Sequence, residues 1–124
     1  MESKKIVILN YKKMEIDNRW IADYKVAVKI IKSEIAEKLK EFNLTKEDLE
    51  QETYYYTLFF KYKNIVIELG GERGAIDFLL KIDDKSINLY KEDKRFDELK
   101  TASENNFIIF IGLLKEYLEK KKLI

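Results

Sequence analysis

Histidine, cysteine and proline are absent from all 124 residues of the chain. Histidine and cysteine are the side chains that most often shuttle protons, act as nucleophiles or ligate transition metals near neutral pH. Any catalysis would therefore fall to carboxylates, lysines or tyrosines, and we expect no enzymatic activity, no cofactor and no metal site. Without cysteine a disulfide scaffold is excluded, and without proline we expect uninterrupted helices and strands.

A net excess of charge is missing as well, because 24 basic residues stand against 23 acidic ones and the net charge is +1. Proteins that bind a phosphate backbone usually carry a basic excess, since each neutralised phosphate needs its own lysine or arginine. The balance therefore makes nucleic acid an unfavoured partner unless the two signs of charge are segregated on the folded surface.

Long apolar runs are the third absence. No stretch approaches the roughly 20 apolar residues that cross a bilayer, and the apolar run at residues 6–9 is too short for a secretory signal. We therefore expect a cytoplasmic protein that does not bind membranes. The length of the chain and its 46% of hydrophobic residues suit a single domain, residues 1–124, with its own core.

Two segments have the three- and four-residue apolar spacing that is typical of amphipathic helices. The first helix is predicted over residues 17–42, with Asp17 or Asn18 as the N-cap. The second is a C-terminal helix that follows Thr101 and Glu104, which match a capping box.

Between the two helices the apolar period changes to two, which is typical of strands. After a short acidic turn predicted at residues 46–52, four strands follow with turns at residues 63–64, 70–74 and 83–85. The predicted fold is α+β: an antiparallel four-stranded meander with the long N-terminal helix and the C-terminal helix packed on one sheet face. Residues 6–9 are a candidate for an extra N-terminal strand. The predicted core comprises Phe60, Ile67, Phe78, Leu80, Ile31, Ile35, Ile111 and Leu114.

If both helices cover one sheet face, the opposite face meets solvent or a partner. Aromatic residues mixed with both signs of charge suit recognition, because tyrosine contributes a large contact area at a low entropic cost. We expect a protein partner there, and the alternatives are that the N-terminal segment or a second copy of the chain, in a homodimer, covers this face. The predicted partner-binding residues are Tyr55, Phe59, Glu68, Glu72, Arg73, Asp77 and Tyr90.

Three other patterns in this region have plainer interpretations. The glycine-rich segment 70–74 lacks the lysine and the following helix of a phosphate-binding loop, so it is predicted to be a turn between strands. Glu68 and Asp77 share a predicted face, as the carboxylates of a glycoside hydrolase would, but lysines across a sheet usually relieve such pairs. Aromatic residues interleaved with lysine over residues 54–62 resemble a single-stranded nucleic-acid platform, without the RNA-recognition consensus.

The sequence LFFKYKNIVIELGGERGAIDFLL, residues 58–80, places one apolar strand before Glu72-Arg73-Gly74 and another after it. In this it resembles small immunity-type proteins encoded beside bacterial polymorphic toxins. The resemblance implies a cytoplasmic, non-enzymatic protein that neutralises one cognate toxin, commonly a nuclease, by covering its active site or a surface that it needs. Gly71 departs from the pattern, in which a residue with a side chain is expected.

These observations predict an immunity or inhibitor protein that binds and neutralises a protein toxin. Two alternatives remain open at this point. One is a phage-encoded anti-defence protein that blocks a host factor or binds a small signal, and the other is a nucleic-acid-binding module. The genomic neighbours would separate the first two, and binding measured against salt concentration would identify the third.

Overall fold

The computed structural model describes residues 19–50 and 54–124. In chain order, its elements are helix α1 (Tyr24–Lys38), strands β1 (Asn43–Glu50), β2 (Tyr55–Tyr62), β3 (Ile65–Glu72), β4 (Ala75–Ile82) and β5 (Lys85–Ile87), helix α2 (Leu89–Glu92), a 3₁₀ helix (Lys94–Glu98) and helix α3 (Glu104–Lys120).

The five strands form one antiparallel sheet in the order β1-β2-β3-β4-β5. Each strand therefore pairs with its neighbours in the sequence, which confirms the predicted α+β meander. The extra strand predicted at residues 6–9 lies outside the described residues. The strand that was not predicted is instead β1, residues 43–50.

The prediction of a short acidic turn at residues 46–52 was wrong, because residues 46–50 belong to strand β1. A β-bulge between Leu44 and Lys46 shifts the pairing of β1 with β2. Leu44 and Leu49 are an odd number of positions apart, so in a regular strand they would lie on opposite faces. With the bulge, both leucines pair with core-facing residues of β2. The bulge thus hides the period of two that identifies the other strands.

Helix α1 is shorter than the helix predicted over residues 17–42. Its N-cap is Asp23, whose side chain accepts a backbone hydrogen bond from the first turn at 2.9 Å. Just before it the chain is extended, and the N–H of Ile21 donates to the carbonyl of Ala102 at 2.9 Å. The helix cannot include residues whose backbone is paired in this way, and the predicted caps, residues 17–18, lie outside the described residues.

Helix α3 also begins at a different cap from the predicted one. Ser103 is the N-cap, and its Oγ accepts a hydrogen bond from the N–H of Asn106 at 3.1 Å. The predicted cap, Thr101, instead forms an antiparallel bridge with Ala75. The backbone just before α3 therefore pairs with the first residue of β4.

Two-residue turns join β2, β3, β4 and β5, and the hairpin predicted at residues 63–64 is confirmed. At the next turn, Arg73 and Gly74 have φ angles of 51° and 87°. Positive φ at both central positions is the type I′ geometry, which matches the twist of the strands that it joins. The turn needs only these two residues of the glycine-rich segment, because Gly70 and Gly71 are paired within β3.

Gly71, the departure from the immunity-protein pattern, lies directly opposite Tyr56 of β2. A Cβ on Gly71 would overlap the Tyr56 hydroxyl, so the ring lies over the glycine. An aromatic ring over a cross-strand glycine supplies the packing that the missing side chain cannot. The Tyr56 hydroxyl is buried and has no hydrogen-bond partner among the described residues, and burial raises its pKa.

Helices α1 and α3 pack on one face of the sheet, which we call the core face. The ring centroid of Phe110 in α3 lies 4.8 Å from that of Phe78 and 4.9 Å from that of Phe96. Phe78 is partly buried and packs against the core. The other predicted core residues are buried, as expected: Phe60, Ile67, Leu80, Ile31, Ile35, Ile111 and Leu114.

Candidate functional site

The sheet face opposite α1 and α3, called the open face below, carries those predicted partner-binding residues that lie on strands. Strand pairing places its residues in four rows, each with one residue from every strand from β1 to β4. Neighbouring rows are two residues apart along β2, β3 and β4, which is roughly 7 Å, and the bulge makes the last step in β1 three residues. The rows are Glu50-Tyr55-Glu72-Ala75, Asp48-Thr57-Gly70-Asp77, Lys46-Phe59-Glu68-Leu79 and Asn43-Lys61-Val66-Lys81.

Charge is segregated along these rows. The first two rows hold four carboxylates and no basic residue, the third holds one charge of each sign, and the fourth holds two lysines. A nearly neutral chain therefore presents a face that is acidic at one end and basic at the other. We call the first two rows the acidic half; its carboxylates are Asp48, Glu50, Glu72 and Asp77.

The negative charge of the acidic half acts on Asp77. Its pKa is raised from the ordinary value, first by burial and then by the charge of Glu72, while a hydrogen bond from the Phe78 N–H acts in the opposite direction. Burial also raises the pKa of Tyr90, and the charges of Asp97 and Asp77 add to this shift. Glu72 and Tyr90 therefore both lie within electrostatic range of Asp77.

Three of the predicted site residues meet at the acidic end of the open face. Tyr55, Glu72 and Arg73 line a depression of about 230 Å³ together with Glu50. Arg73 is held at the β3–β4 turn, where its N–H donates to the carbonyl of Tyr54 at 3.1 Å. The turn fixes the backbone of Arg73, so its side chain starts from a defined position at the rim of the acidic half.

Phe59 and Glu68 lie directly opposite each other at the centre of the open face. The ammonium nitrogen of Lys46 is 5.2 Å from the centroid of the Phe59 ring. At this distance the ring attracts the cation through its quadrupole. Lys46 belongs to β1, and its part in the face was missed because the bulge hid that strand.

Thr57 lies on the open face, as the alternation of residues in β2 predicts, but it was not among the predicted partner-binding residues. It is only 2% exposed, and its Oγ1 has no hydrogen-bond partner among the described residues. Its neighbour across the sheet is Gly70, where a Cβ would overlap the backbone carbonyl of Tyr56. A side chain at Gly70 would require the strands to shift, and both members of this cross-strand pair are buried.

Tyr90 lies outside the four rows of the open face. The sequence predicted it in the continuation of a strand, but it belongs to helix α2, where its N–H donates to Asn88 Oδ1 at 3.0 Å. The asparagine side chain caps a helix and thereby ends the strand. The Tyr90 ring lies 6.4 Å from that of Phe96 and lines a depression of about 320 Å³ that includes Phe78 and Leu79.

The two carboxylates that could form a catalytic pair, Glu68 and Asp77, are diagonal neighbours. Glu68 faces Leu79 and Asp77 faces Gly70 across the β3–β4 pairing. Within residues 19–50 and 54–124, no group of three or more aspartates and glutamates is placed to hold a metal ion. The open face combines charged and aromatic side chains.

Comparisons with known proteins add no relative. A scan against protein-family models, a search of curated proteins and a search of solved structures each gave no significant match. In the part of the chain that the structure describes, none of the helices has both the length and the apolar character needed to cross a membrane.

Proposed function

We propose that this protein is a non-enzymatic inhibitor of the immunity type, which binds a basic protein partner through its open face and neutralises it. The observation that carries the proposal is the sorting of charge into rows, with four carboxylates in the two rows that contain Tyr55 and Thr57. A basic partner surface would meet complementary charge there. Such complementarity steers the encounter of two proteins and fixes their relative orientation.

Tyr55 and Phe59 are suited to hold the partner after docking. Both are partly buried on β2, so each ring has a defined position and still has surface to offer. Aromatic rings that become fully buried near the centre of an interface commonly supply much of the binding free energy. We therefore expect the carboxylates to govern association and the two rings to govern dissociation.

A nuclease toxin is the class of partner that these charges favour. An enzyme that binds a phosphodiester backbone needs basic residues in its cleft. The acidic half, placed over such a cleft, would occupy the same basic residues that hold the nucleic acid. The same carboxylates would repel phosphates, which argues against direct binding of nucleic acid to this face.

The test is to express the genes that neighbour the coding sequence in a bacterial host, each alone and together with this chain. We expect one neighbouring product to arrest growth and this chain to restore it. Glu72→Lys or Asp77→Lys should weaken the rescue. Glu98→Lys, an exposed position outside the four rows, is the matched control and should leave the rescue intact.

Binding kinetics with the purified toxin would then separate the two roles. Charge reversal at Glu72 or Asp77 should slow association, most clearly at low salt, because screening weakens charge attraction. Tyr55→Ala should mainly hasten dissociation. Normal binding by all these variants, with the partner bound to the exposed surface of α1, would contradict the proposal.

A further inference from the structure

The fourth row of the open face, Asn43-Lys61-Val66-Lys81, is called the basic row below. We infer that two copies of this chain form a dimer through their open faces, in which the acidic half of each copy lies against the basic row of the other. The inference goes beyond the proposed function, because it gives the same face a second occupant and rests on charge and symmetry alone.

The charged side chains of the open face are available to an external partner. Glu72 and Lys61 are exposed, and Glu68, Asp77 and Lys81 are partly exposed. Among the described residues, no ion pair includes any of these five side chains. The first and fourth rows are about 20 Å apart along a strand, which is more than twice the Debye length of roughly 8 Å at physiological salt. The two ends of one face therefore cannot neutralise each other.

Symmetry decides which ends meet when this face packs on a copy of itself. A dimer with a twofold axis uses the same patch on both copies, and sheets that pack face to face commonly keep their strands roughly aligned. An axis along the strands would place each row on the same row of the other copy, so that carboxylates would face carboxylates. An axis across the strands reverses the order of the rows. The first row then faces the fourth, and the second faces the third.

The axis across the strands brings opposite charges together twice in one dimer. Strand β3 of one copy then faces β3 of the other, with β2 and β4 on either side. Glu72 of each copy lies near Lys61 and Lys81 of the other. On β1, Asp48 in the second row faces Lys46 in the third. Such complementarity fixes the relative orientation of the two copies.

Apolar side chains lie where the middle of this interface would be. Phe59 and Leu79 belong to the third row and are partly exposed. In the dimer this row faces the second row of the other copy, next to the twofold axis, so the remaining surface of both side chains is removed from water. Apolar contacts at the centre and charged groups toward the rim are the usual arrangement of protein interfaces.

The size and charge of the open face make this a weak dimer. The four rows extend about 20 Å along the strands and about 14 Å across them, a footprint well below the roughly 800 Å² per partner of a stable interface. They hold five carboxylates and three lysines, so each face keeps a net charge of −2. We expect a Kd of roughly 10–100 µM. Such a dimer can release Tyr55 and Phe59 to a tighter partner, a consequence that rests on the proposed function.

The experiment is sedimentation velocity of the full chain at about 1–500 µM, in about 50 mM and about 500 mM NaCl. The expected result is a dimer whose share grows with protein concentration and whose Kd is roughly 10-fold higher at the higher salt, because screening weakens the attraction between the two ends. This measurement uses the unmodified chain, so it tests the inference even where a variant fails to fold.

Two double variants test which rows meet. Glu50→Lys with Glu72→Lys makes the first row basic, and Lys61→Glu with Lys81→Glu makes the fourth row acidic. Each variant alone should dimerise at least about 10-fold more weakly, because like charges then meet. An equimolar mixture should form a dimer with one copy of each variant, since each altered row then faces its opposite charge. Glu98→Lys is the control and should dimerise as the original chain does.

Three results would overturn the inference: an original chain that stays monomeric at every concentration in low salt, a double variant that dimerises as the original does, or two folded double variants whose mixture stays monomeric. All three would leave the proposed function standing, since the growth rescue and its loss in Glu72→Lys or Asp77→Lys test that function separately. A failed growth rescue would likewise leave the dimer standing. If both hold, the toxin should dissociate the dimer, because both occupy the open face.

Discussion

The two faces of the sheet come from the same strands but are constrained in different ways. On the core face, Leu58, Ile67 and Leu80 are 0% exposed. Their sequence neighbours on the open face, such as Phe59 and Glu68, remain partly exposed. Close packing restricts the shape and volume of side chains on the core face. The open face lacks this restriction, so its side chains can be sorted by charge.

The largest test of this comparison uses two neighbouring phenylalanines of β2. Phe60 is buried on the core face and Phe59 lies on the open face. Phe60→Ala should lower the free energy of unfolding by about 3–5 kcal/mol, whereas Phe59→Ala should lower it by about 1 kcal/mol. Urea denaturation of both variants measures the difference. Equal losses would mean that the open face is packed as a second core.

A glycine gives the next largest expected effect. Gly70→Ala should lower the free energy of unfolding by roughly 3 kcal/mol, because the added Cβ would overlap the Tyr56 carbonyl and the strands must separate. Gly112→Ala in α3 is the control, since its Cβ would meet only Lys38 Nζ at 3.9 Å. That change should raise stability by up to about 1 kcal/mol through helix propensity. Thermal unfolding that ranks the two variants in the opposite order would refute this account of Gly70.

The core face was predictable from the sequence because its apolar residues recur at fixed periods. Strands β2 to β4 alternate without interruption, so their core residues were identified correctly. Strand β1 was not predicted because the bulge after Leu44 breaks the alternation. The ends of α1 and α3 were misplaced because Ile21 and Thr101 use their backbones to pair with extended chain, which no local capping pattern reveals.

The open face was predictable as a set of residues but not as an arrangement. Alternation alone assigns Tyr55, Glu68 and Asp77 to one side of the sheet. The rows in which they lie depend on which two residues form each turn. The glycine-rich segment 70–74 is compatible with more than one turn, and in the structure Arg73 and Gly74 form it. The sorting of charge therefore depends on register, which composition and net charge cannot indicate.

A smaller effect is expected at Thr57. Here we expect a substitution on the open face to stabilise the protein. Thr57→Val should raise the free energy of unfolding by about 1 kcal/mol, because valine fills the same space without an unpaired hydroxyl. Thr57→Ser should give no such gain, since it keeps the hydroxyl. A loss of stability in the valine variant, measured by urea denaturation, would show that the hydroxyl has a partner in solution.

The smallest effects concern two aspartates whose pKa values shift in opposite directions. On the open face, burial and the charge of Glu72 raise the pKa of Asp77. On the helical side, the hydrogen bonds from Arg95 lower the pKa of Asp93 to about 2, and Arg95 Nη2 also donates to Glu116 of α3 at 2.6 Å. Arg95 thereby joins the 3₁₀ helix to α3.

The sign of the pH dependence should therefore differ between the two aspartates. A folded state with a raised carboxyl pKa binds its proton more tightly than the unfolded chain, so the contribution of Asp77 to stability is lost as the pH rises from 3.8 through the raised value. Asp77→Asn should then gain a few tenths of a kcal/mol near pH 7, a small value because the group is partly exposed to solvent, and should match the original chain near pH 3.

Asp93 contributes stability above its ordinary pKa of 3.8, and this is lost as the pH falls toward about 2. Asp93→Asn should thus be the less stable chain near pH 7 and approach the original below pH 3. Urea denaturation at a series of pH values distinguishes the two signs, and a loss at neutral pH in Asp77→Asn would mean that its carboxylate stabilises the open face instead of being held there for a partner.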